Sequence, residues 1–216
     1  MEITSYTICA LFGYLLGGIN PAYLIAKWKG FDIRTRGSGN AGASNAVIVM
    51  GKKAGALSAA FDILKAYAAF RLMAFFFPHI TLAGEVAGAS CILGHIFPVF
   101  MKFHGGKGLA ALGGVILAYD WRVFLFLIAC ELVLVLLVDY ICIVPMTGSA
   151  AFTILYWFTS GKVFGTVLFA VVTAVINFKH IQNIKRIMSG KEAHLSFLWK
   201  RDSEIARLQE NENAKH

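Results

Sequence analysis

Residues 121–138 read WRVFLFLIACELVLVLLV. At about 1.5 Å per helical residue this run extends about 27 Å, close to the hydrocarbon thickness of a bilayer. It reads as a membrane span, and the rest of the chain repeats its character. The 216 residues are 58% hydrophobic and only 15% charged, whereas soluble domains carry about 25% charged residues. Mean hydropathy is +0.68. Further spans are predicted near 5–26, 54–77, 81–101, 108–120, 141–160 and 163–179. The fold class is therefore all-α: a polytopic integral membrane protein with seven transmembrane helices. A membrane domain covers 1–192, and a polar C-terminal tail covers 193–216. The 108–120 span is short, about 20 Å, and must borrow residues from the glycine-rich loop before it or sit in a thin part of the fold. Tyr119-Asp120-Trp121-Arg122 reads as an interfacial turn with aromatic anchors.

Lysine and arginine set the orientation. Lys27, Lys29, Arg34, Arg36, Lys52 and Lys53 follow the first span, and Lys102 and Lys107 follow the third. Lys179, Lys185, Arg186, Lys191, Lys200, Arg201, Arg207 and Lys215 close or follow the last span. The opposite face has only Arg122 and Lys162. Positive residues collect on the cytoplasmic side, so the N-terminus is expected outside and the C-terminus in the cytoplasm. The net charge of +8 reads as this topology signal plus attraction to anionic membrane lipid; it does not argue for nucleic acid. No Lys or Arg precedes the first apolar run, which reads as a permanent span and not a cleaved signal. Cys9, Cys91, Cys130 and Cys142 are scattered through apolar stretches and read as small buried hydrophobes. No repeat relates the two halves, which disfavours a repeat-built transporter.

Three polar clusters fall on the cytoplasmic face. Residues 32–45 read DIRTRGSGNAGASN. Glycines let backbone N–H groups turn toward an anion, Arg34 and Arg36 supply charge, and Ser and Asn supply neutral hydrogen bonds; the bland alternative is an ordinary turn. Residues 94–108 read GHIFPVFMKFHGGKG. Paired glycines, Lys107 and Gly108 just before a helix resemble an anion cradle without Walker A spacing; alternatively Lys107 is a membrane anchor. In 177–186, NFKHIQNIKR, His180, Asn183 and Arg186 recur at threes on one helix face; alternatively this is a basic helix end lying on headgroups. Together the three offer one cytoplasm-facing anion site. Metal-ligand spacing and a nucleophile elbow are absent. Within the spans, Asp62 and Lys65 are placed to pair, Glu85 lies near an outer helix end, and Glu131 has no partner visible in sequence.

The chain resembles the bacterial membrane acyltransferases of the PlsY type, which move a fatty acyl group from acyl-phosphate to glycerol 3-phosphate. The resemblance runs from Gly17 to Glu192. It rests on Asp32-Ile33-Arg34 leading into Gly37-Ser38-Gly39-Asn40 and Gly42-Ala43-Ser44-Asn45, on Gly51-Lys52-Lys53, Asp62-Ile63-Leu64-Lys65, and Gly94-His95 with Pro98. It continues through Lys102-Phe103, Gly105-Gly106-Lys107-Gly108, His180, Asn183-Ile184, Arg186, Gly190 and Glu192. It implies a seven-span bundle in the bacterial cytoplasmic membrane, an active site facing the cytoplasm, acyl-phosphate and glycerol 3-phosphate as substrates, and no metal or other cofactor. Ser38, Asn45, Lys107, His180 and Asn183 are the implied catalytic residues. Arg34, Arg36, Gly37, Gly39, Asn40, Lys102, Gly105, Gly106 and Gly108 are the implied substrate-binding residues, and Glu192 is structural.

The chain departs from the family pattern in four places. An arginine is replaced by Ile48, a threonine by Ala111, the arginine after the last-cluster histidine by Ile181, and a basic residue and a serine near an aromatic by Asp139 and Cys142 around Tyr140. Each removes charge or hydrogen bonding from the expected site, and Asp139 is expected to repel phosphate. Arg34 or Arg36 is placed to compensate. Three functions stay open: the family reaction on phospholipid precursors, a diverged reaction with another acceptor or donor, and non-catalytic lipid binding or transport on the same scaffold.

Overall fold

The computed structural model describes residues 2–192 and 194–198. Of the tail predicted over 193–216, only 194–198 falls within them. The described α-helices are α1 (Glu2–Gly18), α2 (Pro21–Trp28), α3 (Ala43–Met50), α4 (Lys52–Phe76), α5 (Ala83–Ile96), α6 (Leu109–Tyr119), α7 (Trp121–Val138), α8 (Val144–Ser160) and α9 (Val163–Met188). Among the described residues, five stretches are long and apolar enough to cross a membrane: Glu2–Trp28, Ala83–Met101, Trp121–Val138, Ile141–Ser160 and Val163–Met188. The other two predicted spans correspond to α4 and α6. α4 has 25 residues but carries Lys52, Lys53, Asp62, Lys65 and Arg71. α6 has only 11.

The first predicted span is broken. Asn20 ends the run by accepting the Tyr23 N–H at 2.9 Å and donating to the Ala41 carbonyl at 2.7 Å, and Pro21 opens α2. In a continuous helix the Gly17 carbonyl would accept from residue 21, but proline has no N–H. Ile19 loses its partner too, because the Tyr23 N–H is committed to Asn20. The Lys65 ammonium on α4 donates to both carbonyls, at 2.8 and 2.6 Å. Asp62, one turn back, sits 2.7 Å from the same ammonium, as the spacing predicts. His95 of α5 brings its Nδ1 within 3.3 Å of that carboxylate oxygen.

Helix α3 folds inside a segment predicted as loop. Its small and branched residues dock on α4 at Gly55, where a Cβ would strike the Val47 side chain and the Ala43 carbonyl. α1 and α5 approach backbone to backbone. A Cβ on Gly13 would meet the Ala87 carbonyl, one on Gly17 the Cys91 carbonyl, and one on Gly94 the Tyr14 carbonyl. Small residues four apart are how membrane helices reach such contact. Elsewhere Phe152, Tyr156 and Phe169 lock α8 to α9 with centroid separations of 4.9 Å from Phe169 to each partner. The intramembrane acids find partners from neighbouring helices: Glu85 accepts from Tyr156 at 3.0 Å, and Glu131 from Thr147 at 2.8 Å. Cys9, Cys91 and Cys142 are buried, but Cys130 is exposed on α7, where a lipid-facing thiol costs little.

The α1–α5 contact makes one test of the packing. Gly94→Val is expected to lower stability by about 1–3 kcal/mol through overpacking. Gly113→Ala, whose Cβ meets only Phe124 at 3.7 Å, is expected to be neutral. Thermal unfolding of the two variants in detergent checks both.

Candidate functional site

At one end of the bundle a cavity of about 610 Å³ is lined by all three polar clusters: Arg34, Ser38, Gly39 and Asn40 from the first, His104, Gly105 and Lys107 from the second, and Phe178, Lys179, Ile181, Gln182, Lys185 and Arg186 from the third. Five lining residues are cationic and none is acidic, so the cavity favours a multiply charged anion.

Asn45 builds the first wall. It is fully buried, and its Nδ2 lies 2.8–3.1 Å from the carbonyls of Ile33, Arg36 and Asn40, while its Oδ1 accepts the Ser38 N–H at 2.8 Å. One amide thus ties both ends of the loop, and Ser38 itself lines the cavity. Gly37, at φ +60, passes so close to Asn45 that a Cβ would overlap its Oδ1. Arg34 forks onto Asp32 through Nε and Nη2 and sends Nη1 to the Met101 carbonyl at 2.7 Å, which ties the first cluster to the second. The guanidinium holds the Asp32 carboxyl down to about 2. Arg36 does not line the cavity; it stacks on Phe31 at 4.1 Å.

The second cluster uses its glycines differently from the expectation. The Gly105 and Gly106 N–H groups donate to the Ile96 and His95 carbonyls, at 3.1 and 3.0 Å, so these amides close the end of α5 instead of facing an anion. A Cβ on Gly106 would collide with the His95 ring, and one on Gly105 with the His95 carbonyl and Pro98. Gly108, at φ +93, starts α6. Lys102 is exposed and off the cavity lining. Lys107 donates to Asn183 Oδ1. Burial, then the neighbouring Arg186 charge, pull its ammonium below the ordinary lysine range.

From Asn183 a polar chain continues. Its Nδ2 donates to Glu192 at 2.6 Å, and the other Glu192 oxygen accepts from Arg186 Nε at 2.8 Å. His180 is buried, with Nδ1 2.8 Å from the Ile176 carbonyl. A carbonyl can only accept, so Nδ1 carries the proton and Nε2 keeps its lone pair. Neither His180 nor Asn183 lines the cavity. Lys179, Gln182, Lys185 and His104 do, and the sequence reading did not include them. The i, i+3, i+6 spacing of Lys179, Gln182 and Lys185 was the available signal. Among the described residues no group of three or more His, Cys, Asp or Glu is placed to hold a metal.

The departures from the family pattern are dispersed. Ile181 lines the cavity. Ile48 is 48% exposed and off it, and Ala111 is buried in the core. Asp139 is off the lining as well, and its carboxylate accepts the Ser196 N–H at 3.0 Å and the Ser196 hydroxyl at 3.2 Å, with His194 Nδ1 at 3.9 Å. Its charge holds the C-terminal segment.

An all-helical bundle with apolar spans and a cation-lined cavity at one end defines an integral membrane protein of the phosphate-handling kind. The chain belongs to the glycerol-3-phosphate acyltransferase family, whose model matches residues 7–190. It is 35% identical over 189 residues to the glycerol-3-phosphate acyltransferase of Bacillus subtilis, covering 87% of this chain and 96% of that protein. It is 36% identical over 197 residues to that of Clostridioides difficile, covering 89% and 96%. The crystal structure of PlsY (YgiH), an integral membrane glycerol 3-phosphate acyltransferase, superimposes in its glycerol 3-phosphate form with a TM-score of 0.83 at 33% identity, covering 90% of this chain and 97% of the other. The lysophosphatidic acid form gives 0.79 at 33% identity, covering 88% and 95%.

The framing role of Asn45 has a measurable consequence. Asn45→Ala strips the partners from three carbonyls and one amide, each worth about 1–3 kcal/mol when buried. Hydrogen exchange at the Ser38 amide is expected to rise sharply, while helix α9 keeps its protection. Unchanged exchange at Ser38 would show that the loop holds without the amide.

Proposed function

We propose that this chain transfers a fatty acyl group from acyl-phosphate to the 1-hydroxyl of glycerol 3-phosphate, giving lysophosphatidate for phospholipid biosynthesis. The observation that carries this is the cavity: five cations and no lining acid, in a member of a glycerol-3-phosphate acyltransferase family. The hydroxyl oxygen attacks the acyl carbon, the new C–O ester bond forms, and the bond to phosphate breaks. The hydroxyl proton ends on the departing phosphate, since His180 is buried off the cavity lining. Holding the two reactants together supplies much of the rate. Ser38 and Asn40 donate to the developing oxyanion and the phosphate. Lys107, oriented by Asn183, binds the glycerol 3-phosphate phosphate, and Arg34, Lys179, Lys185 and Arg186 add to the field. Asn45 acts through the loop it frames. In this reading residues 1–192 form one domain in a bacterial cytoplasmic membrane. Its seven segments cross, α4 included and α6 together with the glycine-rich loop before it, with the N-terminus outside and the cavity in the cytoplasm. The Lys and Arg asymmetry supports that orientation.

Purified protein given palmitoyl-phosphate and labelled glycerol 3-phosphate is expected to form labelled lysophosphatidate. Folded protein that forms none would overturn the proposal. Because the cavity holds its own cations, Ile48→Arg is expected to change kcat/KM by less than about tenfold, or about 1.4 kcal/mol; a larger rise would mark Ile48 as a lesion.

The ammonium at Lys107 also sets a pH dependence. It binds phosphate only while protonated, and its proton is lost at lower pH than an ordinary lysine's. So kcat/KM for glycerol 3-phosphate is expected to fall as pH rises through that lowered value. Glu192 holds the Lys107 proton on by its negative charge, so Glu192→Gln is expected to move the alkaline fall to still lower pH. An unmoved profile would separate Glu192 from the Lys107 charge.

A further inference from the structure

At the opposite end of the bundle a second cavity, of about 530 Å³, opens between α4, the end of α6 and the start of α7. Its walls include Arg71, Arg122, Asp120, Tyr67, Trp121 and Leu64. It shares no lining residue with the candidate site. We infer that this notch binds the phosphate group of an anionic membrane phospholipid in the leaflet away from the candidate site.

The notch exists because α6 is short. Its 11 residues reach about 16 Å from their start beside Lys107, roughly half the hydrocarbon thickness. The turn into α7 at Asp120 therefore lies below the level that a full-length helix would reach. α4 runs on past it, with Arg71 five residues before its end at Phe76. Two guanidiniums thus line a recess at the far membrane interface, where cations draw an anion or water. Protein supplies little of either. Asp120 is the one carboxylate in the lining, and it already accepts the Arg122 N–H at 2.7 Å as the cap of α7. Among the described residues neither arginine forms an ion pair; Arg122 rests 5.6 Å from the Trp121 ring. The notch therefore has two positive charges facing one negative.

The shape of the recess selects a lipid over a soluble ion. Leu64 lies seven residues below Arg71 on α4, about 10 Å deeper by helical rise, and is 63% exposed. Trp121 is 58% exposed at the rim, the position of an interfacial aromatic. Phosphate at the guanidiniums with hydrocarbon along Leu64 satisfies both ends of the recess. Guanidinium groups take phosphate oxygens two at a time. A free phosphate leaves the apolar half empty.

Native mass spectrometry of the full chain in non-ionic detergent, titrated with dioleoyl phosphatidylglycerol or with dioleoyl phosphatidylcholine, tests this. The wild type is expected to retain one phosphatidylglycerol in clear preference to phosphatidylcholine. The Arg71→Gln/Arg122→Gln variant is expected to bind phosphatidylglycerol about thirtyfold more weakly, from a tenfold loss per about 1.4 kcal/mol and about 1 kcal/mol per arginine. Its helical content by circular dichroism and its phosphatidylcholine binding are expected to be unchanged. Equal retention of the two lipids by the wild type would overturn the proposal without recourse to any variant. Undiminished phosphatidylglycerol binding by the folded double variant would overturn it too. Displacement of the bound lipid by millimolar inorganic phosphate would show a soluble-anion site, and so would also overturn it.

Discussion

The break between α1 and α2 leaves two carbonyls, Gly17 and Ile19, without amide partners in an apolar bundle, and Lys65 is the group that satisfies both. Its third donor direction faces Asp62, which cancels a charge that would otherwise be prohibitive there. That single ammonium fixes the end of α1 against the middle of α4. The same carboxylate approaches the His95 ring, which fixes α5. The His95 carbonyl accepts from Gly106, and the ring fills the space a Cβ on Gly106 would need. Position is therefore handed from a proline kink, through three helices, to the residue before Lys107. An intramembrane ion pair that looks detached from the site is the frame on which the site is hung.

The site itself separates orientation from charge. Lys107 does not meet a carboxylate directly. It meets the neutral Asn183, and Glu192 stands one residue further along, already engaged by Arg186. A carboxylate in direct contact would hold Lys107 in place but cancel most of the field it projects. An amide holds the ammonium equally well and leaves its charge for an anion in the cavity. The first wall uses the same device: Asn45 organises a loop bearing two arginines without adding charge of its own.

Much of this was legible in the sequence. Apolar runs separated the spans, lysine and arginine marked one face, and spacing at threes placed Asp62 with Lys65 and His180 with Asn183. Convergence of the three polar clusters followed from putting them on the same face. What was not legible depends on which partner a backbone group finds. Gly105 and Gly106 read as anion donors because glycine frees an N–H; here both N–H groups are consumed by α5, and the missing Cβ matters for contact with His95 and Pro98. Asn45 read as a reactive group, but its buried amide has four backbone partners. The chain break at Asn20 was hidden because Ile19 and Ala22 are as apolar as their neighbours, and only the missing proline N–H marks it. α3 was hidden because eight residues cannot hold a helix alone and need the Gly55 surface.

The departures at Ile48, Ala111, Ile181 and Asp139 are alike in sequence, each costing the expected site a cation or a hydrogen-bonding group, but not alike in space. Ala111 fills core, Ile48 lies off the cavity, and Asp139 secures residues 194–196. Only Ile181 removes a donor from the lining, and Lys185 stands one helical turn along on the same face. A hydrogen bond is lost when its one donor goes, because it needs contact geometry. An electrostatic field is a sum over all charges within several ångströms and falls only in proportion to the charge removed. Arg34 and Arg186 are paired with Asp32 and Glu192, but Lys107, Lys179 and Lys185 line the same cavity, so an anion there still meets a positive field without a donor at 181.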